Sequence, residues 1–286
     1  MKNFQDITEE SELLTFLEQK GLNHTGGYYH YTKCSSFKSM LESKKIHLSI
    51  GSEMNDIMET KKCSTEKWKR LYIASFSYGS SENMAMWAIY GQPFRDALRL
   101  RFSWRKINDI VNVAKGGIIY KFIADDKKDK YQPINEKFSI KLVDVAYYKK
   151  NSLERNKEFL SGKTCSCIEY CLEKEEFAGY LKNCAWSYEN ETRIVVEFEK
   201  ELDNVATIAI DAHHLFDDMD ILVSPCAFAD NTENNFADEL KKYRLNFSNS
   251  AFHGLVHFRQ YCKSCEISDN NKQQCPYRIR NSKIGL

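Results

Sequence analysis

The apolar positions along the chain change period several times, and each change predicts an element. Residues 8–20 (TEESELLTFLEQK) carry Leu13, Leu14 and Phe16–Leu17 as a stripe at helical spacing. Thr8 can cap this helix, Glu9 and Glu10 suit its positive end, and Gly21 is a stop. After a Gly26-Gly27 turn, residues 28–32 (YYHYT) are aromatic and β-branched, which predicts a strand. Phe37, Met40 and Leu41 give a helix over 35–43, and the alternation of residues 46–50 (IHLSI) gives a half-buried strand. A polar loop covers 51–60. A strand is expected at 71–77 and a short helix at 83–90, ended by Gly91 and Pro93. In 97–102, Leu98, Leu100 and Phe102 take one face and Arg99 and Arg101 the other. Further strands are expected at 118–123, 141–147, 191–198 and 206–210. Helices are expected over 153–182, broken near Gly162 and Gly179, and around 233–242. Strands and helices that do not strictly alternate predict an α+β fold: one domain whose mixed, mostly antiparallel sheet is flanked by helices.

Composition narrows the class. Of 286 residues, 42% are apolar and 28% charged, enough to bury a sizeable core. No apolar run reaches the ~18 residues needed to span a bilayer, and the polar start MKNFQDITEESELL does not read as a signal peptide. A cytoplasmic protein without membrane insertion is the expectation. Charge is uneven: residues 241–286 hold nine Lys or Arg against two acids, while the whole chain is at +1. The chain therefore divides into a core at 1–240 and a basic segment at 241–286 packed on it. The latter is a candidate contact for nucleic acid.

Ten cysteines without a leader read as reduced thiols. Cys165, Cys167, Cys171 and Cys184 have helical or irregular spacing and suit buried thiols. Cys262, Cys265 and Cys275 with His257 (or His253) offer four N/S ligands, so zinc is a candidate in the tail.

Three polar clusters stand on strands or loops. His30 and Thr32 share one face of the first strand, with Tyr29 and Tyr31 on the other. Asn55, Asp56 and Glu59 follow a strand and suit either a turn or a rim for a ribose or metal. Glu189, Glu191 and Arg193 share a face in extended chain, and two clustered carboxylates require a cation, a proton or an active-site role.

In order along the chain, Tyr29-His30-Tyr31-Thr32, Asn55-Asp56-x2-Glu59, Ser75–Ser77, Trp87-x2-Tyr90-Gly91 and Lys182-x3-Trp186-x2-Glu189-x-Glu191-x-Arg193 resemble the bacterial family catalogued as domain of unknown function 2971. The resemblance covers about residues 28–200. It departs at Phe94-Arg95-Asp96, where a glycine is expected, and in the tail. More distantly, Y-H-x-T on an early strand with a late E-x-E resembles ADP-ribosyltransferases. That resemblance implies an ADP-ribosyltransferase-like fold with NAD as substrate, and a transferase or NAD glycohydrolase acting as a toxin or defence effector. It implies that His30 and Thr32 hold the nucleotide and that Glu191, or Glu189, is the catalytic carboxylate. The aromatic stacked on nicotinamide would be Tyr31, Trp87 or Tyr90. Asn55, Asp56 and Arg193 complete the candidate binding set.

The chemistry has its own logic: cleaving an N-glycosidic bond builds positive charge on the ribose, and a carboxylate beside it stabilises that charge. Two other readings remain open: a metal-dependent nuclease with Mg²⁺ on Asp56, Glu59, Glu189 and Glu191, or a non-catalytic binding module. If the enzyme reading holds, the first and late strands converge, and His30 and Glu191 serve activity without being needed for folding.

Overall fold

A computed structural model describes residues 7–22, 26–60, 64–79, 81–91, 97–124, 130–148, 171, 174–217, 219–225, 245 and 247–252. The expected helix around 233–242, most of that over 153–182, the Phe94-Arg95-Asp96 departure, and Cys165, Cys167, His253, His257, Cys262, Cys265 and Cys275 lie outside these residues.

The structure mixes a few helices with a large, mostly antiparallel sheet. Its helices are α1 (Glu10–Leu22), α2 (Cys34–Ser43), α3 (Ile57–Thr60), α4 (Thr65–Arg70), α5 (Met84–Tyr90) and α6 (Trp104–Ala114). The strands are β1 (Gly27–Lys33), β2 (Lys45–Ile50), β3 (Leu71–Tyr78), β4 (Ala97–Ser103), β5 (Ile119–Ile123), β6 (Lys130–Ile134), β7 (Phe138–Asp144), β8 (Ala146–Tyr148), β9 (Leu181–Asn183), β10 (Glu191–Phe198), β11 (Thr207–Asp211), β12 (Asp220–Val223) and β13 (Phe247–Asn249). No helix among the described residues is long and apolar enough to cross a membrane.

The centre of the sheet is β3. Along one edge it pairs with β10 from Leu71 to Ser77, and β7 continues the sheet beyond β10. The other edge is shared. Ser77 and Tyr78 pair with β1, whereas Tyr72 and Ile73 pair with β2. From β1 the sheet runs on through β4, β12 and β13; from β2 it runs through β11, β5 and β6. The two halves diverge between these contacts, so Ala74, Ser75 and Phe76 have no strand beside them on this edge among the described residues. A gap in the sheet is the result.

Alternation sorts the side chains. Tyr28, Phe76, Leu98, Leu100, Ile194, Val196 and Phe198 join one core with α2 and α6. Ile73, Val143 and Val195 join a second core with Leu13 and Leu17 of α1, and Tyr31 and Ala97 pack with Met86 and Trp87 of α5. The helix over α6 was not foreseen from the sequence, although Ile107, Ile110, Val111 and Ala114 are all buried at helical spacing and Ser103 caps its first turn.

Tertiary pairing overrides the local pattern in two places. The expected strand over 141–147 divides at Val145: β7 pairs with β10, while β8 pairs in parallel with β9 in a separate ribbon. Cys171 is helical, but from Lys174 on the expected 153–182 helix, which was to break near Gly179, is not α-helical. It forms a 3₁₀ turn at Glu175–Phe177, a positive-φ Gly179 (84°) and then β9, because the β8 edge gives residues 181–183 strand partners. Phe247–Asn249, within the basic segment, joins the sheet edge as β13.

Ile194 is fully buried at the centre of β10, between β3 and β7. Ile194→Ala is expected to cost ~2–5 kcal/mol in urea denaturation, the range of buried large-to-small changes. A loss below ~0.5 kcal/mol, typical of surface sites, would place this strand outside the core.

Candidate active site

A cavity of about 430 Å³ fills the gap in the sheet. Tyr29, His30, Tyr31 and Thr32 line it from β1, His47 and Ser49 from β2, and residues 73–77 from β3. Asn55, Tyr90, Lys182, Glu189 and Glu191 close it. The opening makes side chains of both sheet faces neighbours, which a continuous sheet would forbid. The expected convergence of the first and late strands is therefore met. Tyr29 and Glu191 lie across Ser77 on its two sides, two strand spacings or ~10 Å apart.

The late cluster is a buried ionic network. Arg193 has no exposed surface and uses every N–H. Its Nε and Nη2 each donate to Glu191 at 2.9 Å, Nη1 and Nη2 hold Glu59 of α3, and Nη1 also reaches the Gly179 carbonyl at 2.8 Å. Bidentate geometry of this kind suits a planar guanidinium. Lys182 of β9, also buried, donates to Glu189 and, at 3.3 Å, to Glu191, with its ammonium 4.9 Å from the Trp186 ring. Tyr90 of α5 donates to Glu189 at 2.6 Å and also bonds to Asn55. The Glu191 amide donates to the Tyr147 hydroxyl at 2.9 Å.

Glu189 does not stand on the strand, as extended spacing suggested. It ends a 3₁₀ turn, Cys184–Glu189, and Asn190 at φ 43° turns the chain into β10. Asn is one of the few residues that tolerates this left-handed conformation. The two carboxylates consequently meet at Lys182 from different directions.

Three carboxylates face two cations here, so the cluster is one negative charge in excess when all are ionised. Burial pushes the Glu191 carboxyl up, but Arg193 and Lys182, with hydrogen bonds from Arg193 and Ser75, outweigh it and hold it near about 2. Burial, and then the Glu191 charge, push Glu189 above the usual carboxylate range despite Lys182 and Tyr90. Burial also raises Glu59 against the pull of Arg193. The proton missing from Glu191 is thus most easily carried by its neighbours.

Acceptor capacity separates the pair further. Glu191 takes Arg193 twice, Lys182 and the Ser75 hydroxyl, which fills the roughly four lone-pair sites of a carboxylate. Glu189 takes one bond on each oxygen, from Tyr90 and Lys182, and keeps a site on each.

On the opposite wall, His30 Nδ1 lies 3.0 Å from the Ser75 carbonyl. A carbonyl only accepts, so Nδ1 carries the proton and Nε2 is the acceptor. Burial lowers the His30 pKa, with the Ser75 carbonyl acting the other way, and favours this neutral form. Ser75 links the two walls, its carbonyl to His30 and its hydroxyl to Glu191.

The cavity gathers seven of the sequence-derived candidates: His30, Tyr31, Thr32, Asn55, Tyr90, Glu189 and Glu191. Three others stand behind it. Trp87 is completely buried, its ring centre 4.9 Å from that of Tyr31 in a T-shaped contact and its Nε1 donating to Glu82, so it supports Tyr31 and offers no stacking face. Asp56 is buried at the start of α3, where its carbonyl accepts from Glu59 and Thr60. Arg193 reaches the cavity only through Glu191. The sequence reading passed over Ser75 and Lys182 as chemical groups, and over His47 and Phe122, whose rings lie 4.4 Å apart in the cavity wall. Lys182 shares a motif with Glu189, and Ser75 stands in the quoted Ser75–Ser77 motif, so both were detectable; nothing local marked His47 or Phe122.

Of the carboxylates considered for a metal, Glu59, Glu189 and Glu191 are held by cations instead. Arg193 occupies the space between Glu59 and Glu191, and no group of three or more His, Cys, Asp or Glu among them is disposed to hold a metal ion. Comparisons with family models, curated proteins and solved structures give no match for this chain.

Breaking the clamp has a defined consequence. Arg193→Met leaves two buried carboxylates without their cation and is expected to cost ~3–5 kcal/mol; a loss under ~1 kcal/mol would mean that the clamp is not formed. The pH dependence follows from Glu191. Its folded pKa near about 2 lies below the ordinary 4.5. Its stabilisation is therefore present above ~4.5 and disappears as pH falls toward about 2. The stability gap between wild type and Glu191→Gln should narrow over that interval; a constant gap would assign it to packing.

Proposed function

We propose that the cavity binds NAD and that the protein cleaves its nicotinamide–ribose bond, as an ADP-ribosyltransferase or NAD glycohydrolase. The observation that carries this reading is the joining of His30, Glu189 and Glu191 in one cavity at a split of the sheet. Its buried carboxylates outnumber its cations, so the site attracts the positive charge of a nicotinamide ring or of the ribose in the transition state. The resemblance to ADP-ribosyltransferases drawn from the sequence supports the same reading, including the fold and a role as toxin or defence effector.

Residue roles follow from bonding capacity. Glu189, with an acceptor site open on each oxygen, faces the developing oxocarbenium and accepts from a ribose hydroxyl. Glu191 is a positioning residue that shares Lys182 with Glu189. His30 Nε2 accepts a second ribose hydroxyl, and Thr32 lines the same wall. Tyr31 and Tyr90 are the aromatics available to the base. When the bond from C1′ to nicotinamide nitrogen breaks, the electron pair leaves with nicotinamide, which becomes neutral. Water or an acceptor nucleophile then bonds to C1′ and loses its proton.

The test is nicotinamide release from NAD by the purified protein, with and without EDTA. Release should be insensitive to EDTA and fall ~100-fold or more in a folded Glu189→Gln, by analogy with removal of one transition-state donor. The rate should rise with pH through a value above the ordinary carboxylate pKa, because ionised Glu189 is the active form and its pKa is raised. Glu191→Gln should lose stability as well as activity, since it leaves Arg193 half neutralised. Equal release by wild type and the Glu189 and His30 variants would exclude this site. No release at all, with NAD bound, would favour a binding module.

A further inference from the structure

Three arginines of the sheet are held in three different ways. Arg101 is exposed and paired with Asp220 at 2.6 Å. Arg193 is buried and neutralised by two carboxylates. Arg99 is 7% exposed, yet no carboxylate lies within ion-pair distance of it among the described residues. It sits in the middle of β4, opposite Tyr31 of β1 and Leu222 of β12, so the backbone fixes its position. The guanidinium stacks 3.8 Å from the Tyr29 ring centre, and Nη2 donates to the Ser81 carbonyl at 3.3 Å. Its buried Nε has no hydrogen-bond partner among the described residues.

Arg99 lines a second compartment of about 100 Å³ that adjoins the main cavity, sharing Tyr29, Tyr31, Ser77, Met86 and Glu189 as walls. The Ser77 hydroxyl, also buried, has no hydrogen-bond partner among the described residues either, and Ser77 lines both spaces. The volume is that of about three waters at ~30 Å³ each, room for one small oxyanion. Two carboxylates border it, and both accept hydrogen bonds from other residues. Glu82 accepts from Trp87 and the Ser250 hydroxyl on one oxygen and from the Ala251 amide on the other. Glu189 is held by Lys182 and Tyr90.

A buried cation without a counter-charge is costly, and a guanidinium whose Nε has no acceptor, beside a hydroxyl without a partner, offers donors to an oxyanion. We propose that the Arg99 compartment is an anion subsite that takes a phosphate or carboxylate group, with the rest of that ligand extending past Tyr29 and Ser77 into the main cavity. The inference stands whether or not the main cavity takes NAD.

Small anions test it without turnover. Calorimetric titration and thermal unfolding of the whole protein would use inorganic phosphate and acetate, each against chloride at matched ionic strength. Phosphate, acetate or both should bind saturably and raise Tm above the chloride control, and the stronger of the two names the group. Arg99→Lys keeps the charge but not the fork, and should weaken binding at least ~10-fold. Arg99→Met keeps the packing and should abolish the Tm rise. Should Arg99→Met fail to fold, the Arg99→Lys titration decides. Equal responses in wild type and variants, or neither anion exceeding chloride in wild type, would overturn the proposal.

Discussion

Arg193 ties three parts of the chain that share no local sequence relation: Glu59 in a four-residue helix, Glu191 at the start of β10, and the carbonyl of a positive-φ glycine before β9. A charge with no exposed surface tolerates no missing partner, because the low-dielectric interior leaves nothing else to solvate it. That requirement fixes where α3 sits, how the 175–183 segment turns, and which way Glu191 points. Lys182 and Glu189 are built onto the same arrangement, and through them Tyr90 and α5. The geometry of the cavity wall is thus held by charge satisfaction as much as by the apolar core.

The other determinant is the division of one edge of β3 between two partners. A strand edge whose middle lacks a neighbour leaves backbone groups to be satisfied in another way. His30 supplies one answer, donating from Nδ1 to the Ser75 carbonyl. The same bond closes the gap at one point and sets the tautomer that faces the cavity. Sheet geometry and cavity chemistry are coupled here, since the group that compensates the missing strand also lines the cavity.

Placing the carboxylates in one buried cluster separates their behaviour although they are two residues apart. Glu191, saturated with donors, is held as an anion; Glu189, with fewer donors and a neighbouring negative charge, is pushed toward protonation. The environments of the pair thus drive their pKa values apart, one toward the anion and the other toward the acid form.

Local periodicity was enough to locate β1, β3, β4, β10 and α1, because their apolar spacing is decided within a few residues. The ordered motif from Lys182 to Arg193 likewise marked the residues that meet in the ionic network. The divided strand at 141–147 and the strand at 181–183 were not legible, since each depends on a partner far along the chain. Nor did the sequence indicate that Trp87 lies behind Tyr31, that Glu191 is saturated while Glu189 is not, or that Arg99 and Arg101 meet opposite fates two residues apart on one strand. Burial and counter-charge come from neighbouring strands and helices, and those neighbours exist only once the sheet has formed.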